Sequence, residues 1–203
     1  MHSVSAIARR PGPERLLLEF HLLFGPGRLR VPPRARPRRV ARLWEHSCGE
    51  VFVRRPGAGY LEFNLSPSGE WAAWSFTGYR QDMTEADTPP PRITTRSRRG
   101  HLRIAVELAL PALGATPAWE LALAAVLEDD DGRRSYWALA HPERRPDFHH
   151  PGSFACRLPE DLHSGTSAPA STACSTSPRC AGRSRARRAR PTTISICGRW
   201  ASR

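Results

Sequence analysis

Lysine is missing altogether: the 31 basic residues of this 203-residue chain are all arginine. So complete a bias is a codon-level trait of a GC-rich gene before it is a recognition device, although arginine's planar fork suits phosphate better than an ammonium does. Cysteine is scarce and unpatterned. Cys48, Cys156, Cys174, Cys180 and Cys197 form an odd set without a C-x-x-C pair, which argues against a disulfide framework or a zinc site and fits a reducing compartment. Long apolar runs are missing too, and no window approaches the roughly 18 apolar residues of a membrane span. The first apolar run, LLLEFHLLF, is broken by Glu19 and His21, unlike the core of a secretory leader. Pro11, Gly12, Pro13 and Glu14 follow the Arg9 and Arg10 pair, where a twin-arginine signal needs apolar residues. The expected location is cytoplasmic. With 39% hydrophobic residues, 20 prolines and 15 glycines, the core should be smaller than the chain.

The formal net charge of +12 resembles a nucleic-acid signal until it is divided by position. Residues 1–42 carry ten arginines and two acids, residues 43–163 thirteen arginines and seventeen acids, and residues 164–203 eight arginines and no acid. The basic character therefore belongs to the ends, and the middle is mildly acidic. Basic runs such as RARPRR and RSRARRAR neutralise phosphates without reading sequence. Here they flank the aromatics instead of interleaving with them, unlike a stacking platform for single strands. A nucleic-acid partner is thus the competing expectation, and solvated arms are the simpler one.

Period-two alternation marks the strands. Leu16, Leu18, Phe20, Leu22 and Phe24 share one face, with Glu19 and His21 on the other. EVFV at 50–53 and YLEFNL at 60–65 have strand composition on either side of RRPGAG. SPSG places Ser66, Pro67 and Gly69 where a type I turn prefers them, so WAAWSF returns as the partner of YLEFNL. Leu61, Phe63 and Leu65 then face away from Tyr60, Glu62 and Asn64. HLRIAVEL and WELALAAVL repeat the alternation, the Asp131–Gly132 dipeptide closes a hairpin onto SYWALA, and FACRL is a last short strand. About eight strands and no long helix predict an antiparallel β-sandwich. Residues 1–14 are expected to be flexible and residues 15–160 to form the domain. Residues 161–203, without period or enough large apolar groups to offset ordering entropy, are expected to be disordered. An off-frame translation of GC-rich codons is the second reading of that tail.

Three stretches, LWEHSCGEVFV (43–53), YLEFNLSPSGEWAAWSFTGYR (60–80) and SYWALAHPERRPDFHHPGSF (135–154), resemble the bacterial DOMON-like family, which is related to carbohydrate-binding sandwich modules. The resemblance spans about Arg15 to Leu158 and departs from the family pattern at Gly49, where an aromatic residue is usual. It implies a non-catalytic β-sandwich that binds a sugar, with amino-sugar or muropeptide ligands as the implied class, or alternatively haem.

The candidate ligand-binding residues are His46, Glu62, Asn64, Trp71, Trp74, Arg80, Trp137, His149 and His150. Trp71 and Trp74 cannot share a strand face, because their separation is odd, so one belongs to the core. Glu62 and Asn64 do share one. The usual make-up of a small-ligand pocket is an aromatic surface with a few polar groups. His141, Asp147, His149 and His150 suggest a metal site, yet adjacent His149 and His150 diverge in extended backbone, and none is expected. For haem, Met83 is the one internal methionine and His46 or His101 the partner, a less favoured cofactor than none. Glu45, Glu50 and Glu62 offer carboxylates, but Ser66 lacks a G-x-S-x-G setting and no catalytic motif stands out.

Overall fold

The chain folds by alternation. In the computed structural model, which describes residues 3–25, 29–161 and, for the backbone alone, 192–200, twelve strands are present among the described residues. They are β1 (Ser3–Gly12), β2 (Arg15–Leu23), β3 (Cys48–Arg54), β4 (Tyr60–Leu65), β5 (Trp71–Phe76), β6 (Thr84–Glu85), β7 (Arg92–Arg98), β8 (His101–Ala109), β9 (Ala118–Glu128), β10 (Arg134–Ala138), β11 (Cys156–Pro159) and β12 (Thr192–Trp200). Their order is β6-β5-β4-β3-β9-β10-β12-β1-β2-β8-β7, and β11 shares with β10 the second edge of β9. All these strand pairs are antiparallel. The path folds into two packed sheets, β1, β2, β8 and β7 forming one and β3 to β6 with β9 to β11 the other.

The core lies between them and uses the residues that the alternation nominated. Leu16, Leu18, Phe20 and Leu22 of β2 and Leu102, Ile104, Val106 and Leu108 of β8 meet Val51, Val53, Leu61, Phe63, Leu65, Leu121 and Leu123 of the facing sheet. Burying such side chains stabilises by roughly 1.5–3 kcal/mol each. Gly49 faces this core, where a Cβ would stand 3.0 Å from the Phe20 ring. The Phe20 ring of the opposite sheet occupies the space beside it.

The turns carry their expected chemistry. The Gly69 amide donates to the Ser66 carbonyl at 3.1 Å, with Gly69 at φ 96°. Asp129 closes the β9–β10 hairpin by accepting from the Asp131 and Arg133 amides. Gly59 is demanded by a close approach: a Cβ there would lie 2.1 Å from the Phe76 carbonyl oxygen. Gly59→Ala is therefore expected to cost about 2–3 kcal/mol, read as a lower midpoint in urea.

Two expectations are corrected, for the N-terminus and for part of the tail, and one strand was not foreseen. Residues 3–12 are strand, not a flexible N-terminus: Val4, Ala6, Ala8 and Arg10 are all buried, in an alternation carried by small residues and one charged one. RITTRSR is strand β7, whose outward residues Arg92, Thr94, Arg96 and Arg98 are exposed and whose inward face holds only one large apolar residue, Ile93. In the tail, 192–200 is a strand between β10 and β1; the rest of the disorder expectation lies outside the described residues. The arginine-rich connection between β2 and β3 is tied down as well. Arg34 donates to the Thr95 carbonyl, Arg38 to Glu70, and Arg39 to the Ala73 and Ala86 carbonyls.

Candidate functional site

Because successive residues of a strand point to opposite faces, the sheet that sends Val51, Phe63 and Leu123 inward sends another set outward. Glu50 and Phe52 of β3, Tyr60, Glu62 and Asn64 of β4, Trp74 and Phe76 of β5 and Val126 of β9 lie on that outer face. Register puts Glu50 opposite Asn64, Phe52 opposite Glu62 and Tyr60 opposite Phe76. The segment after β10 folds back over them. Phe52, Tyr60 and Phe76 are buried, with Trp74, Phe148 and Phe154 against them. The His149 ring sits 5.0 Å from Phe52 and 5.2 Å from Phe76, edge-on to both.

Asp147 fastens this cover. Its carboxylate accepts from Tyr79 and, at 2.9 Å, from the Arg80 guanidinium, and from the His149 amide at 3.2 Å. His150 works within the cover, its Nδ1 accepting from the Gly152 amide at 3.0 Å. The Tyr60 hydroxyl accepts from the Arg80 amide at 3.2 Å and lies 2.8 Å from His149 Nδ1. With its oxygen engaged as acceptor, the hydroxyl donates to Nδ1. That assigns the remaining proton of the neutral ring to Nε2, which stands 3.7 Å from Glu62 Oε2.

Between cover and sheet is a cleft of about 460 Å³. Glu50, Glu62, Phe76 and Val126 form its buried floor, while Trp44, Arg80, Met83, Arg134, Tyr136, Pro146, Phe148 and His149 complete the lining. The floor is a place where charge is costly. Burial, and then the neighbouring Glu62 charge, push the Glu50 carboxyl up to about 8, and burial raises Glu62 against the opposing pull of Asn64 and Arg80. Burial followed by the Arg80 charge lowers His149 to about 4. Cys48, buried beside Glu50 at 3.7 Å, is raised well above an ordinary thiol by burial and then by that carboxyl. At neutral pH the floor thus holds Glu50 as a carboxylic acid, the thiol protonated and the imidazole neutral.

The structure sorts the sequence candidates. Glu62, Arg80 and His149 line the cleft. Asn64 lies fully buried beneath it and donates to Glu62 Oε1 at 2.7 Å. Trp74 shares the face but packs in the aromatic cluster. Trp71 is in the inter-sheet core, as one member of the pair had to be, with the Arg39 guanidinium 4.4 Å above its ring. Trp137 packs against the same core and donates to Ser135 at 3.0 Å. His46 bonds Glu128 at 2.8 Å, and His150 faces Glu143 at 3.8 Å; neither lines the cleft. Trp44, Tyr136 and Phe148 were missed as walls. The signal for Tyr136 was available: it alternates with Trp137 in SYWALA and so had to face away from the core. No group of three metal-ligating side chains occurs among the described residues.

No protein-family model matches the chain, and no curated protein matches it in sequence. Solved structures do match in fold. One is a family 9 carbohydrate-binding module from Caldicellulosiruptor kristjanssonii in complex with glucose, with TM-score 0.54 and 10% identity over 83% of this chain and 82% of that one. Another is a candidate carbohydrate-binding protein from Bacteroides uniformis, with TM-score 0.54 and 17% identity over 77% and 78%.

Proposed function

We propose that this β-sandwich is a non-catalytic carbohydrate-binding domain of the DOMON-like kind, and that the sugar occupies the cleft between the outer face of the second sheet and its cover. The observation that carries the reading is the cleft itself: aromatic side chains from three separate segments, Trp44, Tyr136 and Phe148, around a floor of hydrogen-bonding groups. A pyranose has an apolar face that stacks on such rings and a rim of hydroxyls that seeks such groups. Two further facts support it. The fold is that of a module solved with glucose bound. All the lining residues except Met83, Val126 and Arg134 fall within the three stretches that carry the DOMON-like resemblance.

Haem fits the cleft poorly. Met83 lines it, but the partners named for it do not: His46 bonds Glu128 and His101 lies against His21 on the other sheet, and the one histidine of the lining, His149, has its Nδ1 engaged by Tyr60 at 2.8 Å. Nucleic acid is likewise the weaker reading, since three of the four arginines of RARPRR hold the chain's own connection.

Isothermal titration of the full chain with monosaccharides tests the proposal. Saturable heat is expected, and Tyr136→Ala should weaken the affinity five- to tenfold, as befits an aromatic contact of about 1 kcal/mol. Unchanged affinity in that variant would move the sugar out of this cleft.

A further inference from the structure

The charged groups of the cleft are divided between its two ends. Strand order across the floor runs β4-β3-β9-β10, so Glu62 of β4 and Arg134 of β10 are three strand spacings, roughly 14 Å, apart. That is too far for a contact, and an exposed charge such as Arg134 is screened over about 8 Å. Each end therefore answers to its own neighbours. At the β4 end, Arg80 lies between Asp147, which it holds at 2.9 Å, and Glu62, whose charge it favours against burial. At the β10 end, Arg134 is exposed and has no hydrogen bond or ion pair with another described residue. The two carboxylates beside it are already engaged. Glu45, whose charge is favoured first by Arg42 and then by Arg134, is bonded to Arg42 at 2.6 Å. Glu128, opposite Arg134 in register, takes Arg30 at 3.2 Å and His46 at 2.8 Å. Arg134 is thus the cation of the lining left without an anion among the described residues.

The aromatic walls gather at this same end. Tyr136 follows Arg134 at the strand period, which puts both on the cleft face about 6.6 Å apart. Phe148 stands against Tyr136, with ring centroids 6.3 Å apart and planes at 49°, and Trp44, next to Glu45 in sequence, lines the cleft with them. A sugar ring stacked on Tyr136 has the Arg134 guanidinium at its rim. The floor below does not oppose an anion there: Glu50, held as a carboxylic acid by burial and then by Glu62, both donates and accepts, which suits a sugar hydroxyl.

We infer that the ligand brings a carboxylate to Arg134 while its ring rests on Tyr136, so that the cleft selects a uronic acid over the neutral sugar of the same ring. The inference rests on the carbohydrate reading of the cleft. In a hexuronic acid the carboxylate replaces the exocyclic hydroxymethyl group, so it projects from the edge of the ring and leaves the stacking face unchanged. The guanidinium is planar, permanently charged and presents paired donors that match the two carboxylate oxygens.

Isothermal titration of the full chain with D-glucuronic acid and D-galacturonic acid, each beside its neutral parent, D-glucose or D-galactose, decides this. At pH 7 and low salt at least one uronic acid is expected to bind about five- to tenfold more tightly than its parent, and the difference should shrink as sodium chloride is raised to about 0.5 M. Arg134→Gln, at an exposed position and checked for folding by its melting curve, should abolish the difference. Equal affinity within both pairs would leave the carbohydrate reading standing and overturn the carboxylate. A preference that survives in Arg134→Gln would overturn it too. Tighter binding of D-glucose 6-phosphate than of D-glucuronic acid would do the same, since the site would then answer to charge alone. Failure of all four sugars to bind would count against both readings. Should the variant not fold, the paired comparison and its salt dependence on the unaltered chain still decide.

Discussion

A Glu50→Gln variant is expected to hold its melting temperature nearly level from pH 6.5 to pH 8, across a range where the unaltered chain loses about 5 °C. Glu50 sits at about 8 in the fold because burial, and then Glu62, disfavour its charge; in the unfolded chain it is an ordinary carboxyl with a value of 4.5. The folded state therefore holds the extra proton between those two values, and stability falls as pH rises through them. The loss begins near 4.5 and is complete above 8. At about 1.36 kcal/mol per unit the whole span is worth a few kcal/mol, and each kcal/mol moves the midpoint by about 2–4 °C in a domain of this size. Glutamine keeps the volume and has an N–H to offer Asn64 Oδ1, so the substitution removes the titration without opening a hole. His149 has the opposite sign. Its value is lowered from 6.5 to about 4, so the stability it contributes is present above 6.5 and drains away as pH falls toward 4. Melting curves in universal buffer from pH 4 to 9 should show both limbs, with only the alkaline one flattened in Glu50→Gln. An alkaline limb undiminished in the variant would mean that Glu50 is charged in the fold at neutral pH.

Trp119→Ala is expected to cost about 3–5 kcal/mol, the range for emptying a buried aromatic site. Trp119 has no exposed surface and supports the Arg10 guanidinium 4.1 Å from its ring. Arg10 is itself without exposure, donating to the Thr116 carbonyl at 2.7 Å and the Pro13 carbonyl at 3.1 Å. It ties the β1–β2 turn to the start of β9. Arg10→Ala should therefore be costly alone and cheaper in the Trp119→Ala background, with a coupling of about 1–2 kcal/mol. Urea titrations of the two single variants and the double one measure it, and strict additivity would mean that the stacked pair contributes no coupling.

Arg10 also shows where sequence reading stops. The hairpin of β4 and β5, the alternations of β2, β8 and β9 and the turn at Gly132 were legible because large apolar residues recur there at period two between turn formers. In β1 the inward positions are Val4, Ala6, Ala8 and Arg10: three small or medium residues and a cation that reaches the Thr116 carbonyl and the Trp119 ring, both more than a hundred residues away. Nothing local announces that. β7 was illegible for a related reason, since an edge strand needs few large side chains and Arg92, Arg96 and Arg98 are exposed on it. In the candidate site, Glu62, Arg80 and His149 were legible from a shared face and a loop motif. Glu50 was seen as a carboxylate but not as the floor, because its protonation arises from the neighbouring strand and the cover that bury it. Trp71 and Trp137 were drawn to the site by residue type, and the fold assigns both to the core through strand parity.

The placement of β12 has a bearing on any shortened form of the protein. Residues 192–200 pair with Val4–Ala8 of β1 on one side and with Ser135–Ala138 of β10 on the other, so the last strand in sequence is an interior strand of the path. A chain ending near residue 163 would keep the cleft-lining residues and the inter-sheet core, yet it would turn β1 and β10 into two open edges with unpaired amides and carbonyls. Such edges recruit strands from other molecules. Self-association of the truncated protein, growing with concentration and relieved by adding back a peptide of residues 192–200, is the behaviour this topology dictates.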